Sequence, residues 1–268
     1  VVILRILAFA GMLIAGGITD LAPAGARAAE PASPQKPEIS AEVRAALRRM
    51  GETLRAHQFS FEAQTIRALA GPNREPLHIF HTLDVTVKRP DRLLVVRNGD
   101  DGSGKLVYDG KTVFIYTTNG NKYASIPVPS TLDGMIKEAM GRVGVDFPLA
   151  DFLSEVPGQG LLNIMTSGHV VNTVPIDGVP CLHILFGREL ELWLEKNKRA
   201  LPRRLILTYR ALPGEPKFIA TMSKWDFSIH PIDAEFTFQP PPGAMQMALE
   251  SPAAKRQPNA TKAPGGAK

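Results

Sequence analysis

The chain has one cysteine, Cys181, among its 268 residues, so no intramolecular disulfide can form. Cys181 sits in the apolar run VPCLHILF, where a buried, inert thiol is expected. The sequence also lacks G-x-S-x-G, the P-loop, H-E-x-x-H and C-x-x-C, so no familiar nucleophile, phosphate cradle or zinc site is written into it. Three weaker signals fall short of a metal site. His78 and His81 would share a face only on a helix, and their surroundings alternate like a strand. Cys181 and His183 share a face but make only two ligands. Asp100-Asp101-Gly102-Ser103-Gly104 lacks the spaced acids of a calcium loop and fits a polar hairpin. No metal, cofactor or catalytic residue is expected. A hydrolase built from residues distant in sequence stays open as a weaker alternative.

Apolar runs are short. The longest near the start, Ile6 to Ile18, suits the core of an export signal rather than a membrane span of roughly 20 residues. Arg5 precedes it, and Ala26-Arg27-Ala28 places small residues for cleavage after Ala28. Residues 1–28 therefore read as a signal peptide and the destination as the periplasm, against the alternative of a retained anchor. Acidic residues are missing after Glu250, where Lys255, Arg256, Lys262 and Lys268 stand. The net charge of +5 divides into +1 for residues 1–28, +4 for 251–268 and zero between. A neutral middle argues against a nucleic-acid surface on the folded part. The basic Ala/Pro/Lys stretch 246–268 reads as a disordered tail, solvated by default and available to anionic lipid.

Between these ends the pattern is mostly period two. Residues 29–38 are Pro-rich and read as a linker, leaving a single domain over 39–245. Ser40 caps a helix expected over 41–57, with Val43, Leu47, Met50 and Leu54 on one face. Alternation then marks strands near 59–64, 77–87, 91–97, 104–109, 112–118 and 121–126. Asp109-Gly110 and Asn119-Gly120 supply hairpin turns. Helical spacing returns at Leu132, Met135, Ile136, Met140 and Val143 behind a Ser130/Asp133 capping box, with a second short helix over 148–154. Strands resume at 161–174, 180–187, 189–196, 203–210, 216–227 and 235–239, turning at Asp177-Gly178 and Pro213-Gly214. Along 189–195, Leu190, Leu192 and Leu194 face a dry side, and Glu191, Trp193 and Glu195 a wet one. The last strand, with Phe236 and Phe238, would finish the sheet, and Pro240-Pro241-Pro242 would end its pairing.

The fold class is therefore mainly β with a few helices (α+β): a single large, strongly curved antiparallel sheet or barrel of about eleven strands, with the helices expected on its concave side. The apolar residues Phe61, Val85, Leu94, Val96, Phe114, Tyr116, Leu132, Met135, Ile136 and Met140 are candidates to line a cavity between sheet and helices. They suit ordinary core equally well, and both readings stand at this point. If the helices lift on Gly134, Gly141 and Gly144, Met135→Asp should impair ligand binding more than folding.

Several motifs, in order, carry a resemblance. They are Lys88-Arg89-Pro90-Asp91-Arg92-Leu93, Tyr108-Asp109-Gly110-Lys111-Thr112, Gly178-Val179-Pro180-Cys181-Leu182-His183, Leu192-Trp193-Leu194, Leu201-Pro202-Arg203-Arg204, Trp225 and Phe236-Thr237-Phe238-Gln239-Pro240-Pro241. Over about residues 40–245 they resemble a family of predicted periplasmic bacterial proteins, a domain of unknown function. The layout is similar to lipoprotein carriers and receptors of the LolA/LolB type. The resemblance implies a LolA-like open half-barrel lidded by helices, whose partner is a lipid or the acyl chain of a lipoprotein, and it implies no catalytic residue. The alternative is a structural or interaction module of the cell envelope with a solid core and another envelope protein as partner.

Overall fold

In the computed structural model, residues 38–71, 75–143 and 147–248 are described. The expected export signal, most of the linker, Gly144 and the tail beyond Ala248 lie outside these residues.

The chain forms one twelve-stranded sheet, curved and not closed into a barrel. Its first meander holds β1 (Gln58–Ala70), β2 (Pro76–Lys88), β3 (Arg92–Gly99), β4 (Gly104–Tyr108), β5 (Thr112–Thr117) and β6 (Lys122–Pro127). The second holds β7 (His169–Ile176), β8 (Val179–Phe186), β9 (Leu190–Glu195), β10 (Pro202–Thr208) and β11 (Lys217–Asp226). Each strand pairs with its neighbour in sequence, and β1 pairs with β11, so the two meanders join at the middle of the sheet. The expected turns hold the hairpins. Asp177 and Gly178 both take positive φ, 48° and 77°, as a tight hairpin with right-handed strand twist requires.

Helix α1 (Ala41–Leu54) starts where Ser40 Oγ accepts from the Val43 amide at 3.3 Å, and it buries Val43, Leu47, Met50 and Leu54. Helix α2 (Leu132–Val143) follows β6, then come α3 (Ala150–Leu153) and α4 (Gln159–Ile164). The cap of α2 is Thr131, whose Oγ1 accepts from the Gly134 amide at 3.0 Å, in place of the expected Ser130. The start of the expected strand 161–174 is α4, and β7 begins only at His169. The short apolar run Leu161-Leu162 carries no period to separate helix from strand.

The helices cover one face of the sheet, called inner here. Phe59, Phe61 and Ala63 of β1, Val85 and Val87 of β2, Leu93 and Val95 of β3, and Phe218, Ala220 and Met222 of β11 form one buried core with α1 to α4. Near the end of β11 the alternation changes parity. Lys224, at φ 52°, sits in a bulge, so Trp225 and Phe227 follow Met222 onto the inner face. There Trp225 stacks on Phe61 at 4.3 Å and donates to the Pro202 carbonyl at 3.1 Å.

The outer face differs from expectation in two places. Trp193 and Glu195 are only 7% and 8% exposed, so the wet face of β9 is covered. Trp193 packs with Ile176 and Cys181 in a second small cluster, and His183 stacks on its ring at 4.1 Å. The second difference concerns the C-terminal aromatics. Residues 233–236 form a 3-10 turn against β3, with Phe236 fully buried. Phe238 then stacks on Phe114 at 5.1 Å and lies against Tyr116 and Tyr123. This strap crosses the outer face, and β12 (Met245–Gln246) pairs in parallel with β6 to finish the sheet. The three prolines thus lead into the edge pairing rather than end it, because no backbone donor is needed while side chains do the packing.

Candidate functional site

The signature around Pro90 is a joint between sheet and helices. Arg89 donates from Nη1 to the Leu153 carbonyl and from Nη2 to the Leu54 carbonyl, both at 3.0 Å, so one guanidinium closes the C-terminal ends of α3 and α1. The Leu132 amide donates to the Pro90 carbonyl at 3.0 Å, and the Tyr108 hydroxyl donates to the Pro129 carbonyl at 2.5 Å. Burial pushes the Tyr108 hydroxyl up to about 12, so it stays a donor. Gly110 takes φ +94°, and a Cβ there would stand 2.2 Å from Arg92 Nη1. Both halves of the "R-P-D-R … Y-D-G-K-T" stretch therefore serve packing.

Away from that joint, the inner face opens into a cavity of about 290 Å³. Its floor follows from strand register. Val95, Leu106 and Ile115 lie side by side across β3 to β5, with Val85 of the packed core next to Val95 on β2. One step further toward the open end, Leu83 pairs with Arg97, and Arg97 with Gly104. The next step pairs Thr65 with His81 and His81 with Gly99. Arg67 follows beside Phe218, its guanidinium 5.2 Å from the ring centre. Phe147, Pro148 and Leu149, the segment between α2 and α3, close the space from above. Gly99 and Gly104, the register partners of His81 and Arg97, leave no room for a side chain. A Cβ on Gly99 would stand 2.2 Å from the Phe80 carbonyl oxygen, and one on Gly104 2.6 Å from the Tyr116 carbonyl oxygen.

Along β2 to β4 the lining changes from apolar to basic, from Leu83 to His81, from Val95 to Arg97 and from Leu106 to Lys105. His81, 7% exposed, has Nε2 at 2.8 Å from Asp101 Oδ1 and 3.0 Å from Arg97 Nη1, and its tautomer decides which contact is the hydrogen bond. Arg97 Nη1 also donates to both Asp101 oxygens, at 2.9 and 3.1 Å. Burial works to raise the Asp101 carboxyl, but the His81 hydrogen bond and the Arg97 charge outweigh it and hold the group below its ordinary value. Asp100 accepts from the Phe80 amide at 2.9 Å. The acids of this loop are spent inside the fold, and no metal-binding group of three ligands occurs among the described residues.

The ten candidate residues divide by face. Phe61, Val85, Leu132 and Met135 are 3% exposed or less and belong to the packed core. Ile136 and Met140 line a second hollow of about 390 Å³ between α2, α3 and α4, whose lining includes no strand residue among those described. Leu94, Val96 and Phe114 alternate with core residues and point to the outer face, because one step along a strand reverses the side chain. Tyr116 lies at the rim of the first cavity while its ring meets Phe238 on the outer side. Sequence reading missed Leu106, Arg97, Arg67 and Leu149. The usable signal was an arginine on the apolar phase of β1 and of β3, the strands on either side of β2.

In the helix layer, Asp151 Oδ2 accepts from the Gly158 amide at 2.8 Å. Burial pushes the Asp151 carboxyl up to about 6, opposed by hydrogen bonds from the Gly158, Gly160 and Leu161 amides. With Gly160, where a Cβ would stand 2.3 Å from Asp151 Oδ1, it fixes the turn between α3 and α4.

The model of a family of predicted periplasmic proteins, DUF2092, matches residues 44–250. The chain belongs to this family. The DUF2092 match spans both meanders, the helix layer and the strap. A search of curated proteins finds no match. Solved structures that this chain is similar to include an uncharacterized conserved protein from Thermus thermophilus, at 10% identity and TM-score 0.47, covering 77% of this chain and 99% of that one. Lipoprotein LppX from Mycobacterium tuberculosis aligns at 15% identity and TM-score 0.42, covering 69% and 96%. A LolA superfamily protein from Nitrosomonas europaea aligns at 11% identity and TM-score 0.39, covering 73% and 97%.

Proposed function

We propose that this protein is a non-enzymatic binding protein of the periplasm that holds an apolar ligand, the chain of a lipid or of an acylated lipoprotein, between its sheet and the segment after α2. In this reading residues 1–28 are a cleaved export signal, 29–38 a linker, 39–245 the binding domain and 246–268 a basic tail. The observation that carries it is the cavity over Val95, Leu106 and Ile115, an apolar space that the helix layer leaves unfilled. Leaving such a face wet costs about 25 cal/mol per Å² of apolar surface. A ligand chain would recover that cost with little rearrangement. The distant structural neighbours do not carry it.

A second reading also has an observation in its favour. The middle of the inner face is solid, with Phe59, Phe61, Leu132 and Met135 each 2% exposed or less, as an interaction module with a filled core would be. Native mass spectrometry of protein purified without detergent separates the two. The binding reading expects an extractable lipid mass in the wild type that is lost in Ile115→Trp, which fills the cavity. Wild-type protein that is ligand-free and ignores fluorescent fatty-acid probes supports the module instead.

A further inference from the structure

The cavity has a chemical polarity that an apolar ligand alone leaves unexplained. Arg67, Arg97, Lys105 and His81 line it, and no acidic residue is among the described lining residues. Residues 29–250 carry no net charge, so this clustering is local. Arg97 is the informative member. Among the described residues its hydrogen bonds run through Nη1, to Asp101 and His81. Nη2 lies over Gly104, 3.8 Å from where a Cβ would be. The guanidinium is thus fixed by one nitrogen while its other nitrogens stay available over a floor with no side chain. A fork held in this way suits two oxygens of one anion, which a guanidinium binds in pairs.

We infer that the cavity takes a single-chain amphiphile with an anionic head, a carboxylate or a phosphate, with the head on Arg97 and the chain over Val95, Leu106 and Ile115. This rests on the binding reading above. The volume sets the chain. At about 30 Å³ per water-sized group, about 290 Å³ holds on the order of ten such groups. One chain of about ten carbons fits, and two chains do not. Asp101 neutralises part of the Arg97 charge but approaches from the loop side. Lys105 and Arg67 add positive potential at the rim.

Isothermal titration with decanoate, decyl phosphate and decanol, each below its aggregation limit, tests the inference. Decanoate or decyl phosphate should bind at least tenfold more tightly than decanol, and whichever is tighter identifies the head as carboxylate or phosphate. Arg97→Met should reduce that preference to less than threefold without weakening decanol, and Arg97→Lys should fall between. Thermal unfolding of each variant verifies that it is folded, and Lys105→Met, on the rim, gives a second and smaller loss should Arg97→Met not fold. Decanol binding as tightly as both anions would overturn the anionic head and leave the apolar binding reading standing. No binding of any of the three by folded wild-type protein would overturn both.

Discussion

Replacing Arg89 by methionine should loosen the helix layer from the sheet. Arg89 makes two charge-assisted hydrogen bonds, to Leu54 and Leu153, at the ends of α1 and α3. Bonds of this kind contribute about 1.5–3 kcal/mol each, so the gross loss is roughly 3–6 kcal/mol. Two effects reduce it. Burial lowers the Arg89 pKa, which reports a desolvation cost that methionine does not bear. The buried Nε has no hydrogen-bond partner among the described residues, so its removal is favourable. A net loss of about 3 kcal/mol remains, which for a domain of this size lowers Tm by on the order of 10 °C. Urea unfolding followed by tryptophan fluorescence measures it directly, since Trp193 and Trp225 are the only two tryptophans. Arg89→Lys should recover about half, because an ammonium reaches one carbonyl where the fork reaches two. A loss below about 0.5 kcal/mol for Arg89→Met, the range of ordinary surface changes, would refute the joint. So would full recovery in Arg89→Lys.

Three further outcomes follow from the same structure. Asp151 titrates at about 6 in the fold against an ordinary 3.8. The folded state therefore binds its proton more tightly, and stability falls as pH rises from about 4 to about 6, by up to about 3 kcal/mol at about 1.4 kcal/mol per pKa unit. Asp151→Asn should flatten that window in urea titrations across pH, and an unchanged slope would count against the assignment. Met135 is 1% exposed in the core, so Met135→Asp should abolish folding by circular dichroism, contrary to the selective loss of binding that the sequence suggested, while Met135→Leu costs less than about 1.5 kcal/mol. Phe236→Ala should cost about 3–5 kcal/mol and release the strap, whereas the half-buried Phe238 should matter less; equal effects in thermal melts would mean the strap is not anchored at Phe236.

The architecture was legible because alternation is local. The strand from Leu77 to Val87 and the Asp177-Gly178 turn announce themselves within a few residues, and Ser40 marks α1. The site was less legible because it depends on register between strands. Whether Leu94 or Val95 faces the helices is decided by the whole pairing of β2, β3 and β4, and both residues are equally apolar. Arg97 continues the inner phase of Leu93 and Val95, yet an arginine near a strand end reads as solvent-facing until Gly104 is known to lie opposite it. The aromatics after Trp225 misled for a different reason. A bulge at Lys224 reversed the phase, and Phe236 found a buried place and Phe238 a half-buried one as parts of a strap outside the strand ladder.

The most direct measurement of the central claim is photo-crosslinking with a ten-carbon carboxylate that carries a diazirine on its chain, followed by peptide mapping. A chain held in the cavity should label peptides containing Val95, Leu106, Ile115 or residues 147–149, and excess decanoate should remove that label. Labelling confined to residues 159–164 in the helix-lined hollow, or label that decanoate does not displace, would contradict the account.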